Sequence, residues 1–233
     1  MTDPITIEVW SDVACPWCYI GKRNLEAGLA DASRDDDAPE VTVTYRSYEL
    51  SPDTPEDLDM TERDYLVERK GMPADQVDQM LARVTGIAAE AGLRYDFDAV
   101  KPANTVKAHE LIHFAAEHGL QHEMKERLLA AHFVEGWHVG RIDELVALAA
   151  EVGLDADQAR AALESGSYLD RVRADQAQAR AYGISGVPFF VIDGKYGVSG
   201  AQPAAAFTQI VRQLWAERAQ EGDADAVSVA ASA

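Results

Sequence analysis

Apolar and polar residues alternate along Ile5-Thr6-Ile7-Glu8-Val9-Trp10, the period-two pattern of a strand with one face buried. The period then changes. Leu25 and Leu29 recur at helical spacing in Tyr19–Leu29, which predicts a helix. A second alternating run, Val41-Thr42-Val43-Thr44-Tyr45, reads as another strand and ends in the loop Ser51-Pro52-Asp53-Thr54-Pro55. Residues 5–48 therefore form a β-α-β unit with parallel strands and a right-handed crossover. From about Thr61 to Tyr182 the chain is rich in Ala, Glu and Leu at helical spacing and shows no convincing strand. Gly71-Met72-Pro73, Gly92, Lys101-Pro102, Gly119, Gly136, Gly153 and Gly166 punctuate it into five to seven helices. A strand signal returns over Gly183–Ile192, followed by the tight turn Asp193-Gly194 and a short strand at Lys195–Val198. Phe207, Ile210, Val211, Leu214 and Trp215 give a last amphipathic helix over 203–219. No internal repeat is visible.

Without its helical middle the order is β-α-β followed by β-β-α. That is an α/β thioredoxin fold with a large all-helical insertion between its halves. Neither end buries a sheet face alone, so residues 1–60 and 181–221 are expected to form one discontinuous thioredoxin-like domain, and 61–180 the helical insertion. The small, acidic stretch 222–233 is expected to be a disordered tail.

Composition narrows the partners. Forty acidic residues against 21 basic ones give a formal charge of −19, which argues against nucleic acid and against anionic membranes as partners. No segment approaches the ~18 to 20 apolar residues that span a bilayer. Met1-Thr2-Asp3-Pro4 runs almost directly into the first strand, with no charged and apolar leader pattern. Only two cysteines are present, too few for a secreted disulfide scaffold, so the cytoplasm is the expected compartment.

Those two cysteines carry the chemistry. Cys15-Pro16-Trp17-Cys18 lies where the first strand gives way to the first helix, with Pro16 at an early helical position that needs no N–H. Helix-terminal amides and the helix dipole stabilise a thiolate there. Cys15 is thus expected to be an exposed nucleophile of lowered pKa, and Cys18 the more buried resolving thiol. Zinc is the competing use, but it needs two further ligands, and all six histidines fall between 109 and 138 in the insertion. His109/His113 and His118/His122 have i, i+4 spacing without a convincing third ligand, and read as surface or cleft histidines. Asp12 reads as a solvated strand-end carboxylate that would oppose a thiolate if it faced the sulfur. Lys22 lies on the Cys18–Leu25–Leu29 stripe and reads as snorkelling, with thiolate stabilisation the alternative. Trp17 either covers the sulfur, touches substrate or is simply a partly exposed aromatic. Val187-Pro188, just before the third strand, is expected to be a cis bond packed against the cysteine pair, with the Val187 backbone open to an extended substrate. Ser185 and Ser199 lack a base and orienter, so a hydrolase has no support.

Three stretches together, Ser11–Gly21, Ala103–His109 and Gly183–Pro188, resemble the DsbA-like thioredoxin superfamily over nearly the whole chain, and within it the FrnE-type predicted dithiol–disulfide isomerases. The resemblance implies a cleft between the domains lined by Asn104 and His109, and a redox-active Cys15–Cys18 pair with no bound cofactor. Substrate contacts would fall to Pro16, Trp17, Val187 and Pro188. It also admits glutathione as co-substrate, a separate recycling reductant or oxidant, and a homodimer. Trp17 stands where the periplasmic branch carries His, which argues against a strongly oxidising role. The function read from all this is a thiol–disulfide oxidoreductase or isomerase acting on protein or small-molecule disulfides. A glutathione-dependent isomerase or transferase of the 2-hydroxychromene-2-carboxylate or kappa class is the alternative enzyme, although that branch usually offers Ser at the position of Cys15. A chaperone-like binding protein is the non-enzymatic one.

Overall fold

The computed structural model describes residues 3–230 apart from 35–37, 39, 57 and 59, with side chains through 218. Strand β1 (Ile5–Ser11) is the centre of the sheet, and six of its seven positions are buried or half-buried. It pairs in parallel with β2 (Val41–Ser47), Ile5 opposite Val41 and Ser11 opposite Ser47. On its other side it pairs antiparallel with β3 (Phe189–Ile192), which pairs with β4 (Tyr196–Ser199) to give the order β2-β1-β3-β4. Asp193 and Gly194 both take positive φ, at 57° and 64°, in the three-residue turn between Ile192 and Tyr196, and the Lys195 amide donates to the Ile192 carbonyl at 3.1 Å.

Helix α1 (Pro16–Ala32) crosses from β1 to β2 and packs with α9 (Ala204–Ala230) on one sheet face. The core there joins Ile5, Ile7, Leu25, Phe190, Phe207 and Leu214. Gly28 allows this packing: a Cβ on it would lie 2.5 Å from the Ala204 carbonyl oxygen and 2.8 Å from Phe207 Cβ. The long α9 corrects the expected tail. Residues 222–230 continue the helix, because this Ala-rich segment contains no proline to stop it; 231–233 lie outside the described residues.

Between β2 and β3 come α2 (Glu62–Asp64), running into a π turn at Tyr65–Arg69, then α3 (Ala74–Glu90), α4 (Val106–Glu117) and α5 (Gln121–Ala130). A second π turn, Ala131–Glu135, extends α5, and α6 (Ile142–Glu151), α7 (Ala156–Ser165) and α8 (Leu169–Ala181) complete the block. Helices α4 to α7 share a core that Val13, from the loop after β1, and Tyr168, just before α8, also join. A separate cluster seals the helices to the sheet half: Tyr19 and Ile20 of α1 meet Val84, Tyr95, Leu129 and Phe133. The cysteine pair sits at this seam.

Candidate active site

Cys15 is the residue before the first turn of α1, and Pro16 opens the helix. The Cys18 amide donates to the Cys15 carbonyl at 3.0 Å, which fixes the loop between the thiols. Both cysteines are unbonded and buried, each 3% exposed. The expected exposed nucleophile is therefore corrected. Cys15 faces a cavity of about 280 Å³ instead of open solvent, together with Pro16, Trp17, Leu50, Tyr65 and Val84. Trp17 and Leu50 are the exposed apolar residues at this site, 37% and 46% accessible. Cys18 does not line the cavity.

The two sulfurs have opposite surroundings. Cys15 Sγ lies 3.5 Å from the Val187 carbonyl, an acceptor that favours the thiol over the thiolate. Its pKa is pushed up by the neighbouring Cys18 sulfur, then by burial and by Asp12; the Cys18 amide opposes this more weakly. For Cys18, burial also pushes upward, but the Cys15 thiol, the Lys125 ammonium, Ser11 and the Asp12 backbone outweigh it and hold the thiol below its ordinary value. The expected lowering at Cys15 is thus reversed. In the reduced pair the surroundings favour an anion on Cys18 over one on Cys15.

Lys125 was not legible as a site residue. It is 1% exposed, its Nζ lies 3.4 Å from the Ser11 carbonyl oxygen, and it sits 5.8 Å over the Tyr45 ring. Burial lowers the Lys125 pKa, while Cys18, Asp12 and Cys15 pull it back up. One sequence signal points to it: Lys125 shares the buried face of α5 with Met124, Leu128 and Leu129. Lys22, the lysine singled out earlier, serves Glu26 at 2.5 Å and Glu126 at 2.6 Å, so it locks α1 to α5 and does not address the thiols.

Asp12 is buried at 1% exposure, which corrects its reading as a solvated carboxylate. Its oxygens accept from the Leu50 amide at 2.8 Å and lie 3.3 Å from His109 Nε2. Burial raises its pKa, but His109, the Leu50 amide and Thr105 together bring it below the usual carboxylate value. His109 is consumed by this pairing, and the Asn104 side chain donates to the Pro52 and Thr54 carbonyls, each at 3.0 Å. Neither His109 nor Asn104 lines the cavity, contrary to expectation. His113 instead lies 3.1 Å from both Ser47 Oγ and Asp175 Oδ2, a buried bolt between β2, α4 and α8. Both partners address the same ring nitrogen, so this is no nucleophile–base–orienter relay. Among the described residues no group of three or more His, Cys, Asp or Glu side chains is placed to hold a metal ion.

The Val187–Pro188 bond is cis. Pro188 is buried against α1, where a Cβ on Gly21 would fall 2.9 Å from its ring. Of the Val187 backbone, expected to be open to substrate, the carbonyl accepts from the Cys15 thiol at 3.5 Å. Two further groups missed from sequence face the cavity: Glu62 of α2, raised by burial to about 7 against the pull of Lys70, and His132 of the second π turn, lowered by burial to about 4.

A sheet of this order carrying a CxxC at the β1–α1 junction beside a cis-proline defines a thioredoxin-type dithiol protein. The chain belongs to the family of the DSBA-like thioredoxin domain, whose model matches residues 6–212. It is 39% identical to a crystal structure of a probable DsbA oxidoreductase, SCO1869, from Streptomyces coelicolor, with a TM-score of 0.84 and 91% of each chain covered. The uncharacterized protein YwbO of Bacillus subtilis is 32% identical over 214 residues, 89% of this chain and 96% of that one. The fold is shared with the cytosolic disulfide reductase DsbM from Pseudomonas aeruginosa, solved with GSH, at 20% identity and a TM-score of 0.62 over 90% of this chain and 98% of that one. No helix among the described residues is long and apolar enough to cross a membrane.

Proposed function

We propose that this chain exchanges disulfides with small-molecule or protein substrates through Cys15 and Cys18, working in the cytoplasm as a thiol–disulfide oxidoreductase. The observation that carries the reading is the asymmetry of the pair: Cys15 faces the cavity, and Cys18 lies behind it beside a buried lysine. Substrate reaches Cys15 from the cavity. As the Cys15 proton passes to the Cys18 thiolate, the Cys15 sulfur attacks one substrate sulfur, the substrate S–S bond breaks, and the first half leaves as a thiolate. That half takes up the proton from Cys18. The Cys18 thiolate, favoured by Lys125 and Ser11, then attacks the Cys15 sulfur and expels the second half as a thiolate. One substrate disulfide is reduced and the Cys15–Cys18 disulfide forms; a separate thiol, with glutathione the simplest choice, returns the pair to its reduced state. A cysteine pair that shares one proton titrates as a unit, so the resting position of the anion does not fix which sulfur attacks. Accessibility does. Cys15→Ser is expected to abolish insulin reduction and the refolding of scrambled ribonuclease; retention of either activity would refute the assignment.

The small apolar cavity favours one second reading, a glutathione-dependent isomerase or transferase. The fold is shared with 2-hydroxychromene-2-carboxylate isomerase at 16% identity. Turnover of an aromatic substrate that survives Cys18→Ser would select that reading over dithiol exchange.

A further inference from the structure

The cavity beside Cys15 is built unevenly. Its walls are mostly apolar, drawn from Trp17, Leu50, Leu66, Met80, Leu81 and Phe97. Its volume of about 280 Å³ lies at the small end of ligand sites, which run from roughly 300 to 1,000 Å³. A folded partner cannot enter a space of that size, whereas a small organic disulfide can. Both π turns among the described residues open onto it, one contributing Tyr65 and Leu66, the other His132. Such turns concentrate at functional sites because they re-aim side chains out of the regular ladder.

The charged groups on these walls differ in how far they are already satisfied. Asp12 is held by His109 and the Leu50 amide. Lys70 donates to Ser51 Oγ at 2.9 Å and lies 5.4 Å over the Tyr65 ring. Glu62 is half-buried, and its carboxylate makes no hydrogen bond or ion pair with any described residue. An unpaired carboxylate against an apolar wall is a costly arrangement that a cationic ligand relieves. His132 adds no competing charge: burial keeps its imidazole neutral near pH 7, and its Nδ1 is buried without a partner.

We infer that this cavity is a subsite for small organic disulfides with an apolar body and a terminal ammonium group, the ammonium pairing with Glu62 while the sulfur meets Cys15. The inference rests on the proposed dithiol exchange and names its substrate class. The step is the exchange already described: the aminothiol disulfide is reduced to two aminothiols as the Cys15–Cys18 disulfide forms. The titratable groups facing Glu62 across the cavity are Lys70, Tyr65, Asp12, Cys15 and His132. Of these, Lys70 acts directly on its ionisation, favouring the carboxylate against burial. Cation recognition should therefore strengthen as pH rises through about 7.

The test uses three small disulfides of similar size: cystamine, bis(2-hydroxyethyl) disulfide and 3,3′-dithiodipropionate. Each oxidises the reduced full-length protein, followed by loss of free thiol at pH 6 and pH 8. The wild type should favour cystamine over the neutral probe by at least about tenfold at pH 8, the span expected of a hydrogen bond to a charged group, and by less at pH 6. Glu62→Gln should collapse the cationic-to-neutral ratio, and Glu62→Lys should turn the preference towards the dicarboxylate. Glu68→Gln removes the same charge from an exposed position outside the cavity and should keep the ratio, which separates a local contact from the general attraction of a −19 protein for cations. A ratio equal in wild type and Glu62→Gln overturns the subsite while leaving dithiol exchange standing. A wild-type protein that none of the three oxidises, or a Cys15→Ser variant that reacts as fast, overturns the exchange and the subsite together.

Discussion

The contact between the two sulfurs and their burial dominate the polarity of the dithiol, and Asp12 and Lys125 add to it from opposite sides. The carboxylate discourages an anion on Cys15, and the ammonium favours one on Cys18. Both charges are buried, so little solvent screens them from the sulfurs. Asp12→Asn should bring the Cys15 thiol down and raise its alkylation rate at pH 7 several-fold, read by peptide mapping after timed iodoacetamide treatment. An unchanged rate would mean that Asp12 acts on α4 alone. Lys125→Met should raise the Cys18 thiol and lengthen the life of a mixed disulfide on Cys15 by roughly tenfold, with Lys125→Arg restoring much of the rate. The cysteine pair itself was legible because CxxC beside a βαβ pattern has few other uses. The burial of Asp12 was not, because a carboxylate at a strand end gives no local sign of the histidine that will meet it from a helix 97 positions later.

At the scale of elements, two helical glycines test the packing around the site. Gly28 lies where α1 meets α9, and an added Cβ would press on the Ala204 backbone and Phe207. Gly28→Ala should cost about 1 to 3 kcal/mol and lower the Tm by several degrees, at about 2 to 4 °C per kcal/mol for a chain of this size. Gly86, exposed in α3, has nothing within 4 Å of its would-be Cβ. Gly86→Ala should therefore gain up to about 1 kcal/mol from helix propensity, and calorimetry on both variants checks the contrast. The strands were readable because β1 and β2 alternate and the Asp193-Gly194 turn is chemically specific. The two π turns were not, since Tyr65–Arg69 and Ala131–Glu135 carry ordinary helical composition and are fixed by tertiary packing. The last helix ran past its expected end for a related reason: a lone glycine at 222 costs about 1 kcal/mol, too little to stop a helix by itself.

For the whole molecule, two cavity groups give stability opposite slopes in the same pH window. His132 moves from about 6.5 unfolded to about 4 folded. Its contribution is complete above pH 6.5 and is lost as pH falls through 4. Glu62 moves from 4.5 unfolded to about 7 folded, so its contribution is complete below pH 4.5 and is lost as pH rises through 7. Each is worth about 3 kcal/mol at most, and in the wild type they largely offset each other between pH 4.5 and 6.5. Glu62→Gln should match the wild type near pH 4.5 and exceed its stability by about 2 to 3 kcal/mol at pH 8, measured by urea unfolding at fixed ionic strength. A difference independent of pH would show that Glu62 is solvated and that burial does not govern it.

The proposed exchange requires Cys15 to be the sulfur that bonds to substrate, although the surroundings favour an anion on its neighbour. Mapping the adducts that Cys15→Ser and Cys18→Ser form with bis(2-hydroxyethyl) disulfide tests this directly. Cys18→Ser should accumulate one mercaptoethanol adduct on Cys15, and Cys15→Ser should stay unmodified over the same time. An adduct on Cys18 that forms as fast or faster would contradict it.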